Sequence, residues 1–197
     1  MHAAGAQEPC ALEERPGALI EEIGRRPLYP ADLFEAPDLV EPVVAYRNWR
    51  VIEGKLRSLY LPVFWMQPVQ QAECRIGRAG GERAPEEPAH MAPADTCVCG
   101  IYASHEPDRE FPTMDFRGVT GIVTLWGTIQ VHPEGMRAEY ARVEALALYD
   151  RWSRRQRDAV QAVAEELGVD LVPLDELEAA APRYGRRIPG DLVVPVS

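Results

Sequence analysis

The chain has 197 residues, 46% of them hydrophobic, and carries 31 acidic against 21 basic side chains, a formal charge of −10. That length buries one good core, or one core with a small appendage, and the apolar share is that of a globular protein. An acidic balance lacks the field that gathers phosphates, which disfavours duplex nucleic acid and anionic membrane as partners.

The N-terminal stretch Met1 to Pro9 has neither a basic region nor an apolar core of a signal peptide, and no run approaches the roughly twenty apolar residues of a membrane span. Cytoplasmic residence is therefore expected, and reducing conditions there favour thiolates over disulfides. A single lysine, Lys55, against twenty arginines indicates a GC-rich bacterial genome. Residues 1–42 combine most of the acidic excess with repeated prolines and few aromatics, which reads as a flexible leader with at most a short helix from Gly17 to Gly24.

At Val43 the pattern changes to alternation with β-branched and aromatic residues: Val43 to Ile52, a Glu53-Gly54 turn, then Lys55 to Val63, a hairpin signature. Phe64 to Met66 and Gln70 to Cys74 continue as short strand-like runs. Residues 75–96, rich in glycine, proline and charge, form an irregular loop whose length calls for an anchor at its ends. Val98 to Ser104 and Val119 to Val131 read as strands, the second marked by Gly121 and Gly127 as sites of bulges or bends. After the turn His132-Pro133-Glu134-Gly135, Met136 to Tyr149 suits a helix by propensity and a returning strand by its tight turn, and both readings stay open.

Ser153 with Gln156 forms a capping box, Val160, Val163, Ala164 and Leu167 make one apolar stripe, and Gly168 stands at the C-cap, so a helix is predicted over Arg154 to Leu167. Val169 to Val172 follow as a short strand, Leu174 to Ala181 as a short helix, and the tail as extended chain. The organisation is a leader (1–42), a zinc-clasped β-domain (43–150), and a C-terminal helix and tail packing on it (151–197). The fold class is α+β, a small, mostly antiparallel sheet or half-open barrel.

Cys74, His90, Cys97 and Cys99 carry the chemistry. Three thiols and one imidazole within this window are the donor types and number that close a tetrahedral structural zinc site, at about 2.3 Å from sulfur and 2.0–2.1 Å from nitrogen. Cys97-Val98-Cys99 lets two thiolates converge on one ion, with Gly100 relieving the crowding. His105 competes with His90 for the fourth place, and inert buried thiols or a redox pair are the alternatives. The histidine and cysteine spacings of a zinc deaminase are absent, as are a phosphate-binding glycine loop and a nucleophile elbow, so no catalytic residue is assigned. Cys99 with His132 is the one pairing available to a thiol hydrolase.

Trp49, Trp65 and Trp126 fall in predicted strands and read as core. Trp126, His132, Arg137 and Glu139 cluster near a predicted strand turn as a candidate ligand or partner surface. The strings His90-Met91-Ala92-Pro93, Cys97-Val98-Cys99-Gly100-Ile101-Tyr102-Ala103, Leu125-Trp126-Gly127, His132 and Gly135-Met136-Arg137-Ala138-Glu139 resemble a family of uncharacterised actinobacterial and phage proteins. The resemblance covers about Tyr46 to Leu148 and implies a shared fold and metal-type site without a reaction. The expected function is a zinc-stabilised protein-interaction module, an adaptor or regulatory subunit with a protein partner; the alternative is a small-molecule enzyme using Cys99 and His132 or an open zinc position.

Overall fold

A computed structural model of the chain describes residues 42–75 and 90–193. The leader assigned to 1–42, apart from Pro42, lies outside the described residues, as do positions 76–89 of the loop and the last four residues.

Strand β1 (Val43–Ile52) and strand β2 (Lys55–Ser58) form the antiparallel hairpin expected from their alternation, with Ile52 opposite Lys55. Glu53 and Gly54 between them both have positive φ, 52° and 74°, the backbone that matches a two-residue turn to the twist of its strands. Strand β3 (Phe64–Trp65) adds to β2. Strands β4 (Val69–Gln71) and β5 (Ile101–Ser104) follow, then a one-turn helix α1 (Phe111–Met114) that has no periodic signal in the sequence.

The long hairpin of β6 (Gly118–His132) and β7 (Gly135–Leu148) is the spine of the sheet. It settles the choice over Met136 to Tyr149 in favour of a strand. Helix propensity is worth a few tenths of a kcal/mol per residue, whereas a turn at Pro133-Glu134 commits the whole segment to ladder pairing with β6, from His132 opposite Gly135 to Gly121 opposite Leu146. Ala138, Ala141, Ala145 and Ala147 are all buried, so the alanines that raise helix propensity serve here as small residues in a tightly packed strand. The ladder slips near both glycines singled out in β6, between Ile122 and Val123 and between Trp126 and Ile129. Gly127 in the second slip has φ 76°, and a Cβ there would lie 2.8 Å from Glu139 Oε2 and from Tyr140 Cδ2.

Eight strands make one sheet. β6 runs antiparallel to β1 from Val43 opposite Leu125 to Arg50 opposite Gly118, and its other edge holds β7. The outer edge of β7 then takes β5, β4 and, in parallel, β8 (Asp170–Pro173) in succession. β5 reaches back to β1 through Tyr46 opposite Ser104, which closes a ring at one end. β3 and β4 stand at the two ends of the strand path, so the ring is partial: a half-open barrel.

The sheet is buried on both faces. Trp49, Leu56, Trp65, Val123, Leu125, Met136 and Val143 share one core with Val160, Val163, Ala164 and Leu167 of helix α2 (Arg154–Leu167). Val44, Tyr46, Ile122, Ala145 and Ala147 share a second with Val172, Leu174, Leu177 and Ala180 of the C-terminal segment, where a 3-10 turn leads into helix α3 (Leu177–Ala180). α2 carries the capping box at Ser153 and Gln156, and Gly168 ends it in the left-handed conformation at φ 64°. The tail is not uniformly extended: Arg186 bridges Val43, and Gly190–Leu192 form a 3-10 turn. No helix among the described residues is long and apolar enough to cross a membrane.

Because the α2 stripe belongs to the main core, its N-cap contributes to global stability. Ser153→Ala is expected to lower stability by about 1 kcal/mol, read as a fall of roughly 2–4 °C in the thermal midpoint.

Candidate metal centre

The four donors arrive through an interrupted strand. β4 pairs with β7 down to Gln71 opposite Tyr140, and the Ala72 N–H donates to the Glu139 carbonyl at 2.7 Å. β5 begins at Ile101 opposite Ala138, the next position along the same edge. Residues 73–100 are therefore an excursion that leaves and rejoins one strand line at adjacent positions. Cys74 stands at its start and Cys97 and Cys99 at its end. An antiparallel bridge between Glu73 and Met91 brings His90 alongside.

The ligand atoms of Cys74, His90, Cys97 and Cys99 all lie within 4.8 Å of one another. Cys74 Sγ is 3.7 Å from Cys97 Sγ, and His90 Nε2 is 3.3 Å from Cys99 Sγ. A tetrahedron with about 2.3 Å metal–sulfur and 2.0–2.1 Å metal–nitrogen bonds has sulfur–sulfur edges of about 3.8 Å and sulfur–nitrogen edges of about 3.5 Å. These two spacings are close to those edges, and 3.7 Å is far from the roughly 2.05 Å of a disulfide. None of the three cysteines is in a disulfide. Cys74 and Cys99 are buried with Ala92 in a small apolar cluster, Cys97 is half-buried, and His90 is exposed.

The surroundings shift the two knuckle sulfurs in opposite directions. Burial raises the Cys97 thiol, but the Cys99 N–H, the Cys99 and Cys74 thiols and the Val98 N–H around its sulfur outweigh burial and hold it below the ordinary value. Burial pushes Cys99 up to about 11, against the Ala94 N–H and with the neighbouring Cys97 and Cys74 sulfurs. A cation taken up by this donor set would release thiol protons. Gly100 holds the knuckle with φ 127°, and a Cβ there would stand 3.1 Å from Arg137 Cβ and 3.2 Å from Pro93 Cβ.

Arg137 on β7 braces this knuckle from behind. Its buried guanidinium donates through Nη1 to the carbonyls of Cys97 and Cys99, the latter at 3.2 Å, through Nη2 to Gln130 Oε1, and through Nε to His132 Nε2 at 3.3 Å. Gln130 in turn donates to Asp95 at 2.6 Å. Sequence reasoning placed Arg137 in a partner surface and missed this role, because nothing in local spacing ties a strand arginine to carbonyls some forty residues upstream.

The remaining candidates separate. His105 Nε2 contacts the His132 carbonyl at 2.8 Å, outside the cluster, so the fourth donor position belongs to His90. Of Trp126, His132, Arg137 and Glu139, only His132 is exposed. Trp126 is buried and stacked on Tyr140, ring centroids 5.7 Å apart, and Glu139 is buried with Oε2 accepting from the Thr128 N–H at 3.1 Å. Cys99 faces His90, while His132 Nε2 accepts from Arg137. Cys10 lies outside the described residues. Compared with protein-family models, curated proteins and solved structures, the chain matches none.

Chelation of zinc-loaded protein is expected to lower the thermal midpoint by about 10 °C, because a ligand at a thousandfold its Kd contributes about 4 kcal/mol and each kcal/mol moves a chain of this size by roughly 2–4 °C. His90→Ala should lose tight binding in a zinc-competition titration while His105→Ala keeps it. Arg137→Met should weaken zinc affinity about 10- to 100-fold, the usual effect of removing a group that orients the ligands.

Proposed function

We propose that the cluster holds a structural zinc ion and that the protein is a zinc-clasped recognition module, an adaptor or regulatory subunit that binds another protein at the barrel mouth and catalyses nothing itself. Thiolate and imidazole donors together favour zinc over magnesium or calcium, and four protein ligands leave no open position for an activated water. The observation that carries the reading is a shared boundary: Val98, Cys99 and Gly100 of the knuckle line the same cavity mouth as Tyr60, Leu61 and Tyr102. Tyr60 is 93% exposed, Val98 61% and Tyr102 48%. Large apolar side chains held out to solvent beside a rigid clasp are the composition of an interaction site.

The enzyme reading draws less support. It needs Cys99 activated by His132, but Cys99 is engaged with His90 and His132 with Arg137. In this reading the reduced cysteines and the acidic charge balance belong to a cytoplasmic bacterial protein with no nucleic-acid or membrane partner.

The test is affinity capture from the native host with zinc-loaded full-length protein and with a Tyr60→Ser/Leu61→Ser/Val98→Ser variant that still binds one zinc. A partner retained in fixed stoichiometry by the first and lost by the second is expected. Capture that ignores the rim substitutions contradicts the reading, as does zinc bound by three side chains and a water.

A further inference from the structure

Arg47 lies on β1 in the same alternation as Ala45 and Trp49, which turns it toward the interior of the barrel. Its guanidinium carbon sits 5.8 Å from the Trp49 ring centroid and 5.5 Å from that of Trp65. Nη1 donates to the Tyr102 carbonyl and Nη2 to Ser58 Oγ at 3.2 Å, both neutral acceptors, while Nε is buried without a hydrogen-bond partner. Among the described residues no carboxylate forms an ion pair with it. Burial without an opposing charge pulls its pKa down to about 10. A partly buried guanidinium with no carboxylate beside it among the described residues is costly to the folded chain, and indole faces offset part of that cost.

The same side chain lines a cavity of about 830 Å³ that opens where the ring is incomplete, with Val63, Trp65 and Ile101 among its walls. That volume lies within the roughly 300–1,000 Å³ usual for small-molecule sites. The other cations on its lining are occupied. Arg75 pairs with Glu73 at 2.9 Å, and Arg137 is committed to the knuckle carbonyls and Gln130. The lining also holds Glu73 and Glu134, so one available guanidinium beside Val63, Trp65 and Ile101 suits a singly charged anion with a hydrocarbon body better than a phosphate, which needs several donors to leave water.

We propose that this cavity binds a small organic carboxylate, its apolar body against Trp65, Val63 and Ile101 and its carboxylate on the Arg47 guanidinium. The site adjoins the metal cluster, since Cys99 lines the same cavity, and it shares its mouth with the rim of the proposed function; its test reads carboxylate binding and not partner capture, so the two fail separately.

The test uses zinc-loaded full-length protein with octanoate and 1-octanol as matched probes, followed by calorimetry and tryptophan emission. The wild type is expected to bind octanoate at least tenfold more tightly than octanol. Arg47→Met should lose that preference and about tenfold or more of its octanoate affinity. Arg47→Lys should keep the preference, and decides the matter if the methionine variant does not fold. Val63→Trp, which fills the cavity from its wall, should abolish binding of both probes. Failure of the wild type to bind octanoate at millimolar concentration overturns the proposal. So does equal affinity for the two probes, octanoate binding undiminished in Arg47→Met, or binding unaffected by Val63→Trp.

Discussion

Four donor atoms from three separate stretches of chain meet at one point, and the open side of the barrel is organised around that convergence. β4 and β5 occupy consecutive positions on the edge of β7, as though one strand had been cut and residues 73–100 inserted. Closing an excursion of this length costs conformational entropy that its few apolar side chains cannot offset. Bringing Cys74, Cys97, Cys99 and His90 within 4.8 Å of one another gives the insertion a fixed base. A cation there would neutralise the charge that accumulates as the sulfurs lose their protons, and the strand line and a bound metal would then stabilise each other.

Arg137 carries the coupling from the cluster into the sheet. Its guanidinium joins the Cys97 and Cys99 carbonyls to Gln130 and His132 across the β6–β7 hairpin, so the knuckle is fixed to the longest pairing in the molecule and not only to its own loop. The exposed Tyr60, Val98 and Tyr102 sit at the mouth that this bracing keeps in shape. Arg47 faces the space behind them. Two guanidinium groups in the barrel thus have different circumstances: Arg137 is buried among carbonyl, amide and imidazole acceptors, whereas the partly buried Arg47 has the Tyr102 carbonyl, the Ser58 hydroxyl, aromatic faces and an orphaned Nε.

Much of this was legible from residue order, and what was not has identifiable causes. The β1–β2 hairpin, α2 with both caps, and the donor set all rest on local chemistry: alternation, a Ser-x-x-Gln box with its glycine, and the softness and number of ligands. β1 and α2 have the boundaries those signals predict, whereas β2 ends at Ser58 and not at Val63 as its alternation suggests. Met136 to Tyr149 was ambiguous because alanine and leucine favour a helix in isolation, while the deciding factor is its pairing with β6, β5, β4 and β8, none of it local. The continuity of β4 with β5 is invisible in sequence for the same reason, since it exists only along the edge of β7. Arg47 escaped notice because a single arginine in an alternating strand reads as the solvent-facing position, and only ring closure turns that side inward.

X-ray absorption at the zinc edge, with elemental analysis, on full-length protein loaded with zinc and dialysed to equilibrium is the most direct measurement of the central claim. The account predicts one zinc per chain with three sulfur scatterers at about 2.3 Å and one nitrogen at about 2.0–2.1 Å. A shell with fewer than three sulfurs, a water oxygen in the fourth position, or a folded chain that retains no metal would contradict it.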